Sequence, residues 1–157
     1  MGRIESIVYK PEDAEKLPEG YTRIPLQEAH LVVGGGIEGD LKGRSHTRQL
    51  NIMSADTVRQ LAEEGFGASP GQLGEQLTVA DLDIDRLPIG AHLQIGESAR
   101  VEVVEPRTGC GKFERYQGRT KEEATGRLGV MARVIAAGPI RVGDPVCVVG
   151  ATDGGER

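Results

Sequence analysis

Short apolar runs broken by glycine, proline and aspartate dominate the pattern along this chain. Residues 3–9 read as a first strand, followed by a charged, proline-punctuated loop through KPEDAEKLPEG. Leu31–Val33 is an extended segment entering GGGIEGD, and LNIM, residues 50–53, reads as a short strand. The next stretch, SADTVRQLAEEG, predicts the clearest helix. Ser54 is placed to cap it and Asp56 lies at its positive end. Val58, Leu61 and Ala62 share one face, and Gly65 ends it. Beyond GASPGQLGE the runs QLTV, HLQI and ARVEVVE are strand candidates. GVMARVIAAG and DPVCVVG continue them, with GPIRVGD as the connection between. Thr120 and Glu123 form a capping box for a short helix that Gly126 cuts off. Short strands outnumber helices, and their spacing predicts a barrel or compressed sandwich rather than βαβ repeats.

The chain has 157 residues, the length of one domain, enough to bury roughly 70% of its unfolded surface without disulfides or metals. Its 23 glycines are spread along it, which suits many tight turns between short strands. Aromatic residues make up 3% and Trp is absent, which argues against stacking platforms for single-stranded nucleic acid. A net charge of −5 argues against general nucleic-acid binding but leaves room for a local basic pocket. The start, MGRIESIVYK, lacks the apolar stretch of a signal peptide, and no run has the length to cross a bilayer. The expectation is a cytoplasmic protein with neither nucleic-acid nor membrane partners.

Chemistry concentrates in PRTGCGKFERY, residues 106–116. Glycines on both sides leave the Cys110 sulfur uncovered. Arg107, Lys112 and Arg115 crowd it with positive charge, which favours the thiolate, the form that attacks and binds metals. Cys147, set among valines in PVCVVG, reads as a small packing hydrophobe. A disulfide between the two remains open, but no C-x-x-C exists. GGGIEG, residues 34–39, matches a dinucleotide fingerprint in letters only, since the following DLKGRSHTRQ does not open a helix. Asp40 stands where a phosphate loop needs lysine. The stretch is either a glycine turn between strands or a turn whose amides face a ligand, with Arg44, His46 and Arg48 behind to meet an anion. His46 by itself reads as a loop residue, and the three histidines show no metal-ligand spacing.

Taken in order, GGGIEGD, RQLNIMSADTV, GQLGEQLTVADLDIDRLPIGAHLQIG, VEVVEPRTGCGKFE and GVMARVIAAGPIRVGD resemble a MOSC domain. That module occurs at the C-terminus of molybdenum-cofactor sulfurases and as small stand-alone proteins. The resemblance covers residues 4–149 and leaves 150–157 as a flexible tail. It implies a mainly β fold, a small closed or half-closed barrel with short peripheral helices. In the family the cysteine matching Cys110 is implicated in sulfur transfer or in ligating molybdenum. The implied ligand is the molybdenum cofactor, a phosphorylated pterin dithiolene, for which a soft thiolate suits the metal. Arg48, Arg107, Lys112 and Arg133 are the implied receptors for its anionic end. Gly39 and Gly74 allow close backbone approach, while Asp40 and Glu75 orient arginines or pterin nitrogens.

Two positions depart from the family pattern: its GEN is GEQ here, with Gln76 as the amide, and its frequent PC is GC, which leaves the loop around Cys110 less restrained. Three readings stay open. In one, bound molybdenum supports reduction of N-hydroxylated bases, with electrons from a separate reductase. In another, Cys110 carries a persulfide supplied by a partner cysteine desulfurase. The third is a non-catalytic cofactor-binding or interaction module. No pyridoxal phosphate is expected in this chain, because the resemblance does not extend to the desulfurase domain of the large sulfurases.

Overall fold

In the computed structural model, which describes residues 1–11 and 23–151, Ile4 and Ile7 of β1 (Gly2–Tyr9) are both buried in one core. Straight alternation would put residues three apart on opposite faces. A register shift against β6 (Leu77–Ala80) between Ile4 and Ser6 resolves the conflict, because one extra residue reverses the facing of the strand beyond it. From β6 the sheet continues to β5 (Leu50–Ser54), β9 (Val130–Ala136), β8 (Ala99–Pro106), β7 (Ala91–Ile95) and β11 (Pro145–Ala151). β11 then pairs with the start of β1, at Gly2↔Val146 and Arg3↔Pro145, which closes a seven-strand barrel. β2 (Ile24–Leu26) hangs on the far end of β1. Closure pairs the backbone groups that an open sheet would leave exposed at its edges.

The core runs through the barrel, with Leu50, Ile52, Leu77, Leu93, Val101, Ala132 and Val146 at its centre. β7 shows the expected alternation, with Ala91, Leu93 and Ile95 buried and His92 and Gln94 half-buried. β5 does not alternate: all five residues are buried. Its second face is covered by a smaller core of Met53, Leu61, Phe66, Leu73, Phe113, Ala124 and Leu128. This annex carries α1 (Ala55–Glu63), α2 (Gly111–Gln117) and a 3-10 turn at Lys121–Ala124. β5 and β6 are parallel, so their link must cross over, and α1 lies in that crossover.

Several local expectations change. Ser54 precedes α1 but makes no capping bond; its hydroxyl donates to the Leu82 carbonyl at 2.8 Å and accepts from the Ile84 amide at 2.8 Å. Leu61 is the buried residue of the predicted helix face, and Ala62 is exposed. The capping box does form: Glu123 accepts from both the Thr120 amide and hydroxyl. GPIRVGD is more than a connection, because Gly138–Arg141 forms β10 in a separate small sheet with β3 (Glu28–Val32) and β4 (Gly36–Ile37). α2 is absent from the sequence reading, since only Phe113 of its residues is buried and one apolar position makes no period.

Both cysteines are free thiols. Cys147 is half-buried between a buried Val146 and an exposed Val148, so it packs less completely than its valine setting implies. Gly150 and Ala151 complete β11, while the remainder of the expected tail lies outside the described residues, as does the charged loop beyond Pro11. Among the described residues no helix is long and apolar enough to cross a membrane.

Candidate functional site

Cys110 ends the segment leaving β8 and stands at the N-cap of α2, with its sulfur exposed. Its own backbone carbonyl opens the helix by accepting from the Glu114 amide at 3.0 Å. The amides of Phe113 and Lys112 face the sulfur without closing a capping bond to the thiol. Burial opposes ionisation here, but those amides and the charges of Arg107 and Lys112 outweigh it. The thiol is thereby held below its ordinary range.

The sulfur opens onto a cleft of about 400 Å³. Its walls come from the turn after β4, from β5, from the loop before β6 and from the cysteine segment. Among the described residues five cations line it, Arg23, Lys42, Arg48, Arg107 and Lys112. None of the described lining residues is a carboxylate, although the chain is acidic overall. Like charges strain the site: burial first, then Lys112 and Arg23, push the Lys42 ammonium below its ordinary range. An anion entering the cleft would relieve that repulsion.

Of the residues singled out in the sequence, Cys110, Arg48, Gly74, Arg107 and Lys112 meet on this cleft. Arg48 also pairs with Glu105 at its edge, at 2.7 Å. Arg133 is not among the lining residues. It projects from β9 two positions beyond Met131, which does line the cleft, and its guanidinium is paired with Glu102 at 2.7 Å. Arg44 and His46 are likewise absent from the lining.

Asp40 is buried under the cleft. One oxygen accepts from the amides of Lys10 and Lys42, the other from the Gln76 carboxamide at 3.0 Å. It therefore shapes the turn and holds Gln76. Gly39 precedes it at φ +86°, in the left-handed region. Glu75 is 1% exposed; one oxygen accepts from the Gly71 amide at 2.8 Å and the other finds no hydrogen-bond partner among the described residues. Burial raises its pKa, with the Gly71 amide and the charges of Arg107 and Arg23 pulling the other way.

Gly74 lies against Arg107 in a backbone conformation that favours glycine. Its φ is +93°, and a Cβ there would lie 2.7 Å from the guanidinium. The close approach allowed by this glycine is thus occupied by the protein's own arginine. Arg107 donates to the Leu73 carbonyl and to the Asn51 side-chain oxygen, and its guanidinium lies 5.9 Å from the centre of the Phe113 ring. Sequence reasoning missed Arg23, Lys42, Asn51 and Met131. Lys42 had a signal, lying two residues beyond Asp40 in a turn already suspected of facing a ligand. Asn51 had another, as the polar position inside an apolar strand.

Among solved structures, YiiM from Geobacillus stearothermophilus is similar with a TM-score of 0.72 at 23% identity, covering 95% of this chain and 75% of that one. The YuaD protein from Bacillus subtilis has a TM-score of 0.74 at 18% identity, covering 93% of this chain and 94% of its own. YiiM from Escherichia coli gives 0.69 at 22%, over 96% of this chain and 71% of that one. These likenesses establish the shared barrel fold. No curated protein sequence matches. The profile of the MOSC domain matches residues 34–147, a span that contains every candidate site residue from Gly39 to Arg133 and well over half of the sequence, and the chain belongs to the MOSC domain family.

Proposed function

We propose that the cleft binds molybdenum cofactor, with Cys110 as the protein's ligand to molybdenum and the cations around it receiving the anionic end. One observation carries this reading: among the described residues an exposed, thiolate-favouring sulfur shares a cleft with five cations and no lining carboxylate. A thiolate is a soft donor suited to the metal, and guanidinium groups bind phosphate through paired, charge-assisted hydrogen bonds. The residues present fit the group. Arg48, Arg107 and Lys112 would hold it, joined by Arg23 and Lys42 from the same walls. Arg133, tied to Glu102 outside the lining, is left out of this set.

When bound, the cofactor supplies two-electron redox chemistry. In a stand-alone member of the family the corresponding reaction is reduction of an N-hydroxylated base: the N–O bond breaks, two electrons and two protons are taken up, and water leaves. The electrons come from a separate reductase. The chain's own part is to fix the metal end at Cys110 and neutralise the opposite end. Exposure of the sulfur also favours a second reading, in which Cys110 carries a persulfide received from a cysteine desulfurase. A module that holds the cofactor and does neither is the non-enzymatic form of the same site.

Protein produced in a cofactor-competent host tests the first reading. Wild type should carry molybdenum and release a fluorescent oxidised pterin in acid. Cys110→Ser should lose most of both while its circular dichroism is unchanged, and Cys147→Ser should keep both. Equal retention in wild type and Cys110→Ser removes the ligand role. Cyanide-releasable sulfur on Cys110 without bound metal would favour the persulfide reading instead.

A further inference from the structure

Beneath the cleft the hydrogen bonds run in one direction, donated from a donor-only group toward an acceptor-only group. At one end Asp40 is a carboxylate; at the other Arg107 is a guanidinium. Gln76 donates its side-chain amide to Asp40 at 3.0 Å, so its carbonyl oxygen must face the other way, where it accepts from the Asn51 main-chain amide at 2.7 Å. The Gln76 main chain donates back to the Asn51 carbonyl at 3.0 Å. Asn51 is thus held at both of its backbone groups by one residue. Its side-chain amide donates to the carbonyls of Leu128 and Val130, at 2.9 and 3.1 Å, which leaves its oxygen aimed at Arg107, 3.0 Å away. Neither carboxamide can be reversed. A turned Gln76 would set oxygen against carboxylate and NH₂ against N–H, and a turned Asn51 would set oxygen against two carbonyls and NH₂ against guanidinium. Asp40, Gln76 and Asn51 are all buried, so leaving one of these groups unmet is costly.

The geometry points to Gln76 as a positioning residue, which sets Arg107 for anion binding by clamping Asn51 beneath it. This inference rests on the reading of the cleft as an anion site and adds a role to the one position where GEQ departs from the family's GEN. The glutamine side chain spans from Asp40 to the Asn51 amide. An asparagine is one methylene shorter and would have to release one end unless the turn moved. Asp40, in turn, ends the glycine turn and accepts from the amide of Lys42 just beyond it and from that of Lys10, just past the end of β1. Arg107 is consequently tied to the turn that carries Lys42, another lining residue of the cleft.

The experiment is a double-mutant cycle on the full chain prepared without cofactor, with inorganic pyrophosphate as the probe and calorimetry as the readout. Gln76→Met keeps the length and removes both polar groups. It should weaken pyrophosphate binding roughly fivefold to tenfold in the wild-type background and have no further effect in Arg107→Ala. Melting temperature, read in parallel, should fall with Gln76→Met in both backgrounds, since buried partners are orphaned either way. Gln76→Asn takes its place if Gln76→Met does not fold. Weakening by Gln76→Met that persists undiminished without Arg107, or no weakening at all while Arg107→Ala weakens binding, overturns the positioning role and leaves the anion cleft standing. Failure of the wild type to bind the probe, or indifference to Arg107→Ala, overturns the cleft reading and the inference with it.

Discussion

The barrel and the annex beside it are both held by buried apolar surface, yet they are written differently in the chain. Among the described residues twenty buried ones form the barrel core, most of them in strands. Seven form the annex core, drawn from β5, α1, the loop from Phe66 to Leu73 and the segment from α2 to Leu128. The annex depends on single large side chains: Phe113 is the buried residue of α2 and lies 6.3 Å from Phe66, ring centre to ring centre. The cleft lies where the two regions meet. Asn51 and Met131 come from barrel strands, while Cys110 and Lys112 come from the segment that Phe113 anchors. A barrel with closed edges holds one wall still, and a thinly packed annex presents the reactive thiol against it.

Truncating each core should separate the two regions most sharply. Phe113→Ala is expected to cost about 3–5 kcal/mol and Leu93→Ala about 2–5 kcal/mol. Hydrogen exchange should then tell them apart: Phe113→Ala releases amides of α2 while those of β7 and β8 stay protected, whereas Leu93→Ala weakens protection throughout. Equal loss across both regions in Phe113→Ala would show a single cooperative unit and end the distinction.

The arginines sharpen it next. Arg48→Ala should reduce pterin retention several-fold, because Arg48 lines the cleft, while Arg133→Ala should stay within about twofold of wild type. Pterin fluorescence after acid release measures both. Comparable losses would place Arg133 back among the receptors.

A smaller effect is the ionisation of Cys110. Burial works against it, and the amides of Phe113 and Lys112 with the charges of Arg107 and Lys112 prevail. In cofactor-free protein lacking Cys147, alkylation should therefore rise with pH to a midpoint below the ordinary thiol value of about 8.5. Lys112→Ala should move that midpoint upward, and no movement would remove the annex's cation from the account.

Smallest is the effect at Glu75. Its folded pKa is raised, with burial as the main cause, so the folded protein holds that proton more tightly than the unfolded chain. Its contribution to stability is therefore present below the ordinary carboxyl pKa and lost as pH rises through the folded one. Glu75→Gln does not titrate. The variant's melting temperature should gain on wild type between pH 4 and pH 8, by about 2–4 °C if roughly 1 kcal/mol is involved. A difference independent of pH would mean that the carboxyl group is not the cause.

Much of the barrel was legible before the fold was known. QLTV, HLQI and ARVEVVE became β6, β7 and β8 nearly as read; β7 and β8 alternate because one face is buried, whereas all four residues of β6 are buried and it reads as a short apolar run. The capping box at Thr120 and Glu123 was legible for a similar reason, its partners being three residues apart. Less of the annex could be read. α2 buries one residue, and Ser54, with the local signature of a helix cap, bonds instead to Leu82 and Ile84 about thirty positions on.

By itself the sequence determined the β character, the exposed thiol in a cationic setting and the ordered motifs of the family. Each depends on neighbours within a few positions or on residue type alone. Tertiary structure decided which charges share the cleft. Arg133 has the charge and motif position of a receptor, but cross-strand pairing of Glu102 with Arg133 turns it to that partner. Lys42 and Arg23, by contrast, are brought to Cys110 by folding alone. Charge is a property of a residue, whereas its destination depends on partners far away in the chain. For the same reason Asp40 and Gln76 became the buried support of Arg107: no local pattern records that residues 40, 51, 76 and 107 meet.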